Sequence, residues 1–125
     1  MWASALSVRP CGGLRVLEVG CGAGWVLERL TREIPGNDYM GVEPSANACA
    51  SARNAGVSVR NGTADAFLEK GLFDVVYSIN VVEHTVNPVA FVSSLATLVR
   101  DGGEVCIICP NGGVVHPEML FADHL

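Results

Sequence analysis

Glu18-Val-Gly20-Cys21-Gly22-Ala-Gly24 sets a carboxylate just ahead of three alternating glycines. Glycine lets the chain turn tightly and lets its backbone approach a ligand with no Cβ in the way. Two details restrict what that ligand is. A dinucleotide fingerprint needs Gly or Ala three positions after Gly22, and Trp25 stands there. A pyrophosphate would be repelled by Glu18, whereas the same carboxylate suits a ligand carrying an ammonium and a sulfonium. The alternative is an ordinary strand-to-helix turn that binds nothing.

Three further stretches carry polar groups at matching places. Glu43 follows a short apolar run, where an acid can accept both hydroxyls of a ribose; alone, it would be a solvated loop acid. Thr63-Ala64-Asp65 offers backbone N–H groups and a carboxylate that could read the edge and amino group of an adenine. Equally, it is a helix start with Asp65 placed on the dipole. Ile79-Asn80-Val-Val-Glu83-His84 brings an amide, a carboxylate and an imidazole to a fourth strand end. His84 there either takes a proton from a bound hydroxyl or orients it, or it simply holds the loop by a hydrogen bond. No covalent nucleophile is evident.

The elements that must position these groups are legible as alternating apolar runs and helix-like segments. Strands are expected at 14–19, 39–42, 57–60, 73–79 and 104–109. Helices are expected at 24–34, at 45–54 with Ser45 as N-cap and Gly56 beyond the end, and at 87–100 with Asn87 as N-cap and Pro88 first in the helix. Asp101-Gly102-Gly103 is expected to end the last helix. Strands that alternate with helices imply a doubly wound, mostly parallel α/β sheet covered on both faces. In such sheets ligands lie beyond the carboxyl ends of the strands, where the strand order reverses. All four polar stretches fall just after a strand.

The remaining composition excludes several functions. Half of the 125 residues are hydrophobic and 17% are charged, enough apolar material for one packed domain spanning 1–125. A net charge of −5 with scattered Lys and Arg argues against nucleic acid as a partner. Apolar runs such as Val105–Cys109 are far shorter than the roughly 20 residues of a membrane helix. Met1 to Val8 has neither a basic n-region nor a long apolar h-region, so no signal peptide is read. The five cysteines (Cys11, Cys21, Cys49, Cys106, Cys109) are odd in number and irregular in spacing, which fits a reducing cytoplasm better than a disulfide framework. Cys106 and Cys109 are three apart on one expected strand and would point to opposite faces, so they read as buried strand residues rather than a zinc or redox pair.

Taken in order, these stretches resemble the class I (Rossmann-like) S-adenosylmethionine-dependent methyltransferases, in particular the small-molecule group that includes the ubiquinone-biosynthesis enzymes. Val16-Leu-Glu-Val-Gly-Cys-Gly-Ala-Gly24 is similar to that family's first motif. Phe73-Asp-Val-Val-Tyr-Ser, Val82-Glu-His84, Leu98-Val-Arg-Asp-Gly-Gly103 and Pro110-Asn111 resemble its later landmarks, in the same order. The resemblance implies S-adenosyl-L-methionine as cofactor and a small-molecule methyl acceptor. By it, Glu18, Gly20, Cys21, Gly22 and Gly24 form the methionine-side turn, Glu43 holds the ribose, Thr63, Ala64 and Asp65 hold the adenine, and Ile79 and Asn80 floor the pocket. His84 becomes the candidate catalytic group.

Three departures qualify it. The family fold ends in two further, antiparallel strands for which little sequence follows the fifth strand here, so an incomplete domain is expected, with the fifth strand an exposed edge open to self-association. A cofactor-binding module without turnover is therefore a rival, and an NAD(P)-dependent oxidoreductase a more distant one. Thr63 stands where many relatives have an acid. Some quinone-precursor O-methyltransferases carry a Glu three positions before the Glu-His pair, completing a metal site; Asn80 stands there, and no metal is implied.

Overall fold

β1 (Arg15–Val19) is buried from Val16 onward and lies at the centre of a five-stranded sheet. The computed structural model describes residues 12–111. β2 (Asp38–Glu43) and β3 (Val59–Asn61) extend the sheet on one side of β1, and β4 (Phe73–Ile79) and β5 (Val99–Ile108) on the other. The order is β3-β2-β1-β4-β5 and every pairing is parallel. The chain therefore winds outward from β1, crosses back, and reverses between β1 and β4. The expected doubly wound α/β sheet is the one that forms.

Alternation along β1 divides the core in two. Val16 faces helices α1 (Trp25–Glu33) and α2 (Ala46–Asn54), meeting Val26, Leu27, Leu30 and Ala52 together with Tyr39, Val75 and Tyr77. Leu17 and Val19 face α3 (Pro88–Leu98), packing with Val42, Val76, Leu95 and Leu98. With both faces covered, the strands can be apolar throughout.

The helix ends follow the sequence closely. Ser45 Oγ accepts from the Ala48 N–H at 3.2 Å, and Asn87 Oδ1 accepts from the Ala90 N–H at 3.0 Å, with Pro88 in the first turn. Past α2, Gly56 adopts a left-handed φ of 82°, and the N–H groups of Gly56 and Val57 donate to the Arg53 and Ala52 carbonyls. This Schellman closure occupies Val57, so β3 begins at Val59 rather than at 57.

Three other boundaries differ from expectation. α3 stops at Leu98, because Val99 is already extended (φ −85°, ψ 140°) and pairs with Phe73. Asp101-Gly102-Gly103 consequently lies inside β5, as a bulge opposite Asp74, rather than ending the helix. The Asp74 carboxylate anchors the bulge, accepting from the Arg15 N–H at 2.8 Å and from the Arg100 guanidinium. Cys106 is only half-buried, and Cys109 is exposed beyond the end of β5, so the pair is not in the core. Cys21 and Cys49 are buried.

Among the described residues β5 pairs only with β4, and no helix is long and apolar enough to cross a membrane. Cys11, Met1 to Val8 and the expected site of any further strand lie outside the described residues.

Candidate functional site

The turn after β1 uses each glycine differently. Gly20, Gly22 and Gly24 all have left-handed φ, between 55° and 80°. A Cβ on Gly20 would stand 2.6 Å from Val81 Cγ2, and one on Gly24 would press on Ala52 and Val57 at 3.1 Å. A Cβ on Gly22 would meet nothing within 4 Å. Gly20 and Gly24 thus let protein approach protein, and Gly22 alone borders open space.

Glu43, at the end of β2, braces that turn. Its Oε2 accepts from the Gly22 N–H at 2.9 Å, and its Oε1 accepts from the Ser45 N–H at 2.9 Å. Asn61, at the end of β3, locks the strand end from the other side by donating to the Glu43 and Pro44 carbonyls at 2.9 and 3.0 Å. Each carboxylate oxygen of Glu43 keeps a second lone pair for an incoming hydroxyl.

Glu18, near the end of β1 and just before the turn, is only 3% exposed. Tyr77 donates its hydroxyl to Glu18 Oε2 at 2.9 Å. Burial pushes the Glu18 carboxyl up to about 8; the Tyr77 hydroxyl acts against this, and repulsion from Glu43 adds to it. Burial, with the Glu18 and Glu43 carboxylates nearby, pushes the Cys21 thiol up to about 12. Cys21 therefore stays a packed thiol, lying where a Cβ on Gly41 would collide with its sulfur.

A cleft of about 430 Å³ opens at the carboxyl ends of the strands on the α3 side. Val19, Val42, Val81 and Phe91 give it apolar walls, and Gly62, Thr63 and Asp65 give it a polar rim. Gly20, Thr63, Ala64 and Asp65 thus come together on it as the sequence places them. Residues 64–66 form a single 3-10 turn, with Ala64 buried and Asp65 exposed. Glu18, Cys21, Gly22, Gly24, Glu43, Ile79, Asn80 and His84 are not among the cleft walls. Glu43 and Gly22 reach the same loop system through Val42 and Gly20, while Gly24 belongs to the α1–α2 contact.

The segment after β4 is held more loosely. Asn80 is exposed and takes a φ of 56°, the one left-handed non-glycine among the described residues. Its N–H donates to the Ile108 carbonyl at 2.8 Å, which ties this strain to the end of β5. Ile79 is half-buried against the α1 side of the core. Residues 82–84 make a second 3-10 turn. The His84 side chain is 69% exposed, and its Nε2 stands 3.8 Å from Glu83 Oε1, too far for a hydrogen bond. Its sequence neighbours Val81 and Thr85 line the cleft; His84 itself does not.

Sequence reasoning misses Tyr77, Val81, Asn61 and the α3 face that carries Phe91 and Ser94. Tyr77 reads as one more apolar strand residue, and only the register Glu18↔Tyr77 brings the two together. Phe91 is recognisable as an apolar helix position, but nothing local says that it lines a cleft as well as packing on the core.

Comparison with known proteins agrees with this geometry. A family model described as a methyltransferase domain matches residues 5–123. The ubiquinone biosynthesis O-methyltransferase of Agrobacterium fabrum is 43% identical over 102 residues, covering 76% of this chain and 40% of that protein. Its counterpart in Azorhizobium caulinodans is 40% identical over 115 residues, covering 86% and 41%. The chain thus spans about two fifths of the length of the curated relatives it matches. Among solved structures, an S-adenosylmethionine-dependent methyltransferase from Thiobacillus denitrificans, in complex with S-adenosyl-L-homocysteine, superposes with a TM-score of 0.70 at 21% identity, over 85% of this chain and 45% of that one. At that identity the likeness speaks for the fold. With the glycine turn, the strand-end acids and the matched span in agreement, the chain belongs to the methyltransferase-domain family.

Proposed function

We propose that this chain is the cofactor-binding domain of an S-adenosylmethionine-dependent methyltransferase that acts on a small-molecule acceptor. One observation carries the reading: Gly20, at the start of a turn whose Gly22 has an open face and is braced by Glu43, lines an apolar cleft rimmed by Thr63 and Asp65. That combination fits an amino-acid head, a ribose and a flat purine in sequence along the strand ends. When bound, S-adenosylmethionine supplies a methyl group made electrophilic by its sulfonium.

The rest is the work of this chain's own residues. The backbone of Gly20 and Gly22 admits the methionine part, and Glu43 accepts the ribose hydroxyls. Val19, Val42 and Phe91 sandwich the purine, whose amino edge meets Asp65. Asn80, fixed by Ile108, floors the reacting end. Catalysis is then alignment of an acceptor oxygen with the transferable methyl in a site closed to water. His84, on the adjoining turn, takes the proton of the acceptor hydroxyl. The name of the curated relatives, ubiquinone biosynthesis O-methyltransferase, supports an oxygen acceptor.

Calorimetry with S-adenosylmethionine, S-adenosylhomocysteine and NAD tests the cofactor. The first two should bind and NAD should bind far more weakly; tighter NAD binding overturns the reading. Cofactor binding with no methyl transfer to any phenolic or hydroxylated acceptor leaves a binding module instead of an enzyme.

A further inference from the structure

The Glu18 carboxyl and Tyr77 hydroxyl form a polar pair inside an otherwise apolar face of the sheet. Glu18 and Tyr77 are register partners on parallel strands, so their side chains leave the sheet side by side on the α1–α2 face. Tyr77 is fully buried, and among the described residues its hydroxyl donates to Glu18 Oε2 at 2.9 Å. The titratable groups that bear on Glu18 and Tyr77 are Cys21 from the turn, Glu43 from the end of β2 and Tyr39 from within β2. Cys49, on α2, bears on Cys21. None of these supplies a positive charge. A carboxylate taken out of water without a cation is costly, so the group holds its proton instead.

Glu18 precedes Gly20 by two residues at the end of β1 and bears on Cys21 of the turn, on the side of the site where the cofactor reading puts an ammonium. Resting on that reading, we propose that Tyr77 is a positioning residue for the ligand's ammonium. Its hydroxyl fixes the Glu18 carboxyl, uncharged, next to the glycine turn, and the arriving ammonium displaces the carboxyl proton to solvent. In that step the carboxyl O–H bond breaks, its electron pair stays on the carboxylate, and the proton passes to buffer. The Tyr77 hydroxyl continues to donate to Oε2, now to a charged acceptor and therefore more strongly. Burial and the Glu18 charge push the Tyr77 phenol well up, so it remains a donor throughout.

The test counts protons. Calorimetry at pH 7 in two buffers of different ionisation enthalpy is run with S-adenosylhomocysteine and with 5′-methylthioadenosine, which lacks the amino-acid part. S-adenosylhomocysteine should release most of one proton from the wild-type chain, and methylthioadenosine none. Tyr77→Phe should weaken S-adenosylhomocysteine by about tenfold, the scale of a hydrogen bond to a charged group, and leave methylthioadenosine unchanged. Binding of S-adenosylhomocysteine without proton release overturns the proposal, as does a variant that weakens both ligands alike or neither. If Tyr77→Phe does not unfold cooperatively, the wild-type proton count with the two ligands decides. Failure of both nucleosides to bind removes the cofactor reading and this proposal with it; binding of both without a proton removes this proposal alone.

Discussion

The turn after β1 and the segment after β4 meet the same cleft, but they are built in opposite ways. Around Gly20 to Gly24, backbone N–H groups are tied to Val42 and to the Glu43 carboxylate, and a carboxyl–phenol pair is buried nearby. Around Asn80 to Thr85, Asn80 and His84 are exposed while Val81, Val82 and Thr85 are half-buried, and the 3-10 turn is held by its own local hydrogen bonds. The first region has one conformation imposed on it by the sheet. The second is fixed at its start, where Asn80 donates to Ile108 and Val81 packs on Gly20, and it is freer towards Glu83 and His84. A fold that must always hold one cofactor, yet meet different acceptors, benefits from that division.

The comparison breaks most sharply at Gly22. Gly22→Val fills the open face in front of the turn and should abolish cofactor binding by calorimetry; the left-handed φ of 55° also costs stability, so Gly22→Ala, with less strain, should show the same direction of effect on binding. Retained binding would mean that the ligand does not approach there.

Glu18 gives the next largest effect. Its carboxyl stands near 8 in the fold against 4.5 in its ordinary state, so the folded chain keeps a proton that the unfolded chain gives up. The stability this contributes is fully present below about pH 4.5 and is lost as pH rises through about 8. The loss should reach roughly 3–5 kcal/mol in the ligand-free chain. Denaturant titrations across that range should show the decline in the wild type and a flatter profile in Glu18→Gln. Parallel profiles would mean that Glu18 is charged in the fold.

On the looser side, His84→Ala should cut turnover by about 10²–10⁴-fold, the usual scale of general-base assistance, in the whole enzyme. Its thermal stability should stay within about 0.5 kcal/mol, as for an exposed side chain. A fall in stability with normal turnover per folded molecule would make His84 a loop-holding residue. Glu43→Ala should cost roughly 1.5–3 kcal/mol of cofactor affinity. Unlike His84→Ala, it should also lower stability, since two backbone N–H groups lose their acceptor. If the two variants behaved alike, the division between the regions would disappear.

What was legible in the sequence follows the same division. The glycine turn and the strand-end acids are requirements of one local backbone path, and local sequence is enough to state them. The capping of α2 and α3 by Ser45 and Asn87 is equally local. The end of α3 was not legible, because Val99 leaves the helix to pair with Phe73, a partner 26 positions away. Asp101-Gly102-Gly103 looks like a helix stop and is instead a bulge, held by a carboxylate on the neighbouring strand. Tyr77 was invisible for the same reason: its role exists only in the register between β1 and β4.

Gly20 and Val81 share one volume, since a Cβ on the first would stand 2.6 Å from a methyl of the second. The two positions are therefore sterically coupled. Alanine at position 20 requires a shorter residue at 81, and a longer residue at 81 is barred while the turn keeps its place. Because the φ of 77° at Gly20 also penalises any side chain, shortening position 81 removes the clash but not the backbone strain. Single substitutions therefore meet a barrier on both sides, and position 81 stays locked to the first turn.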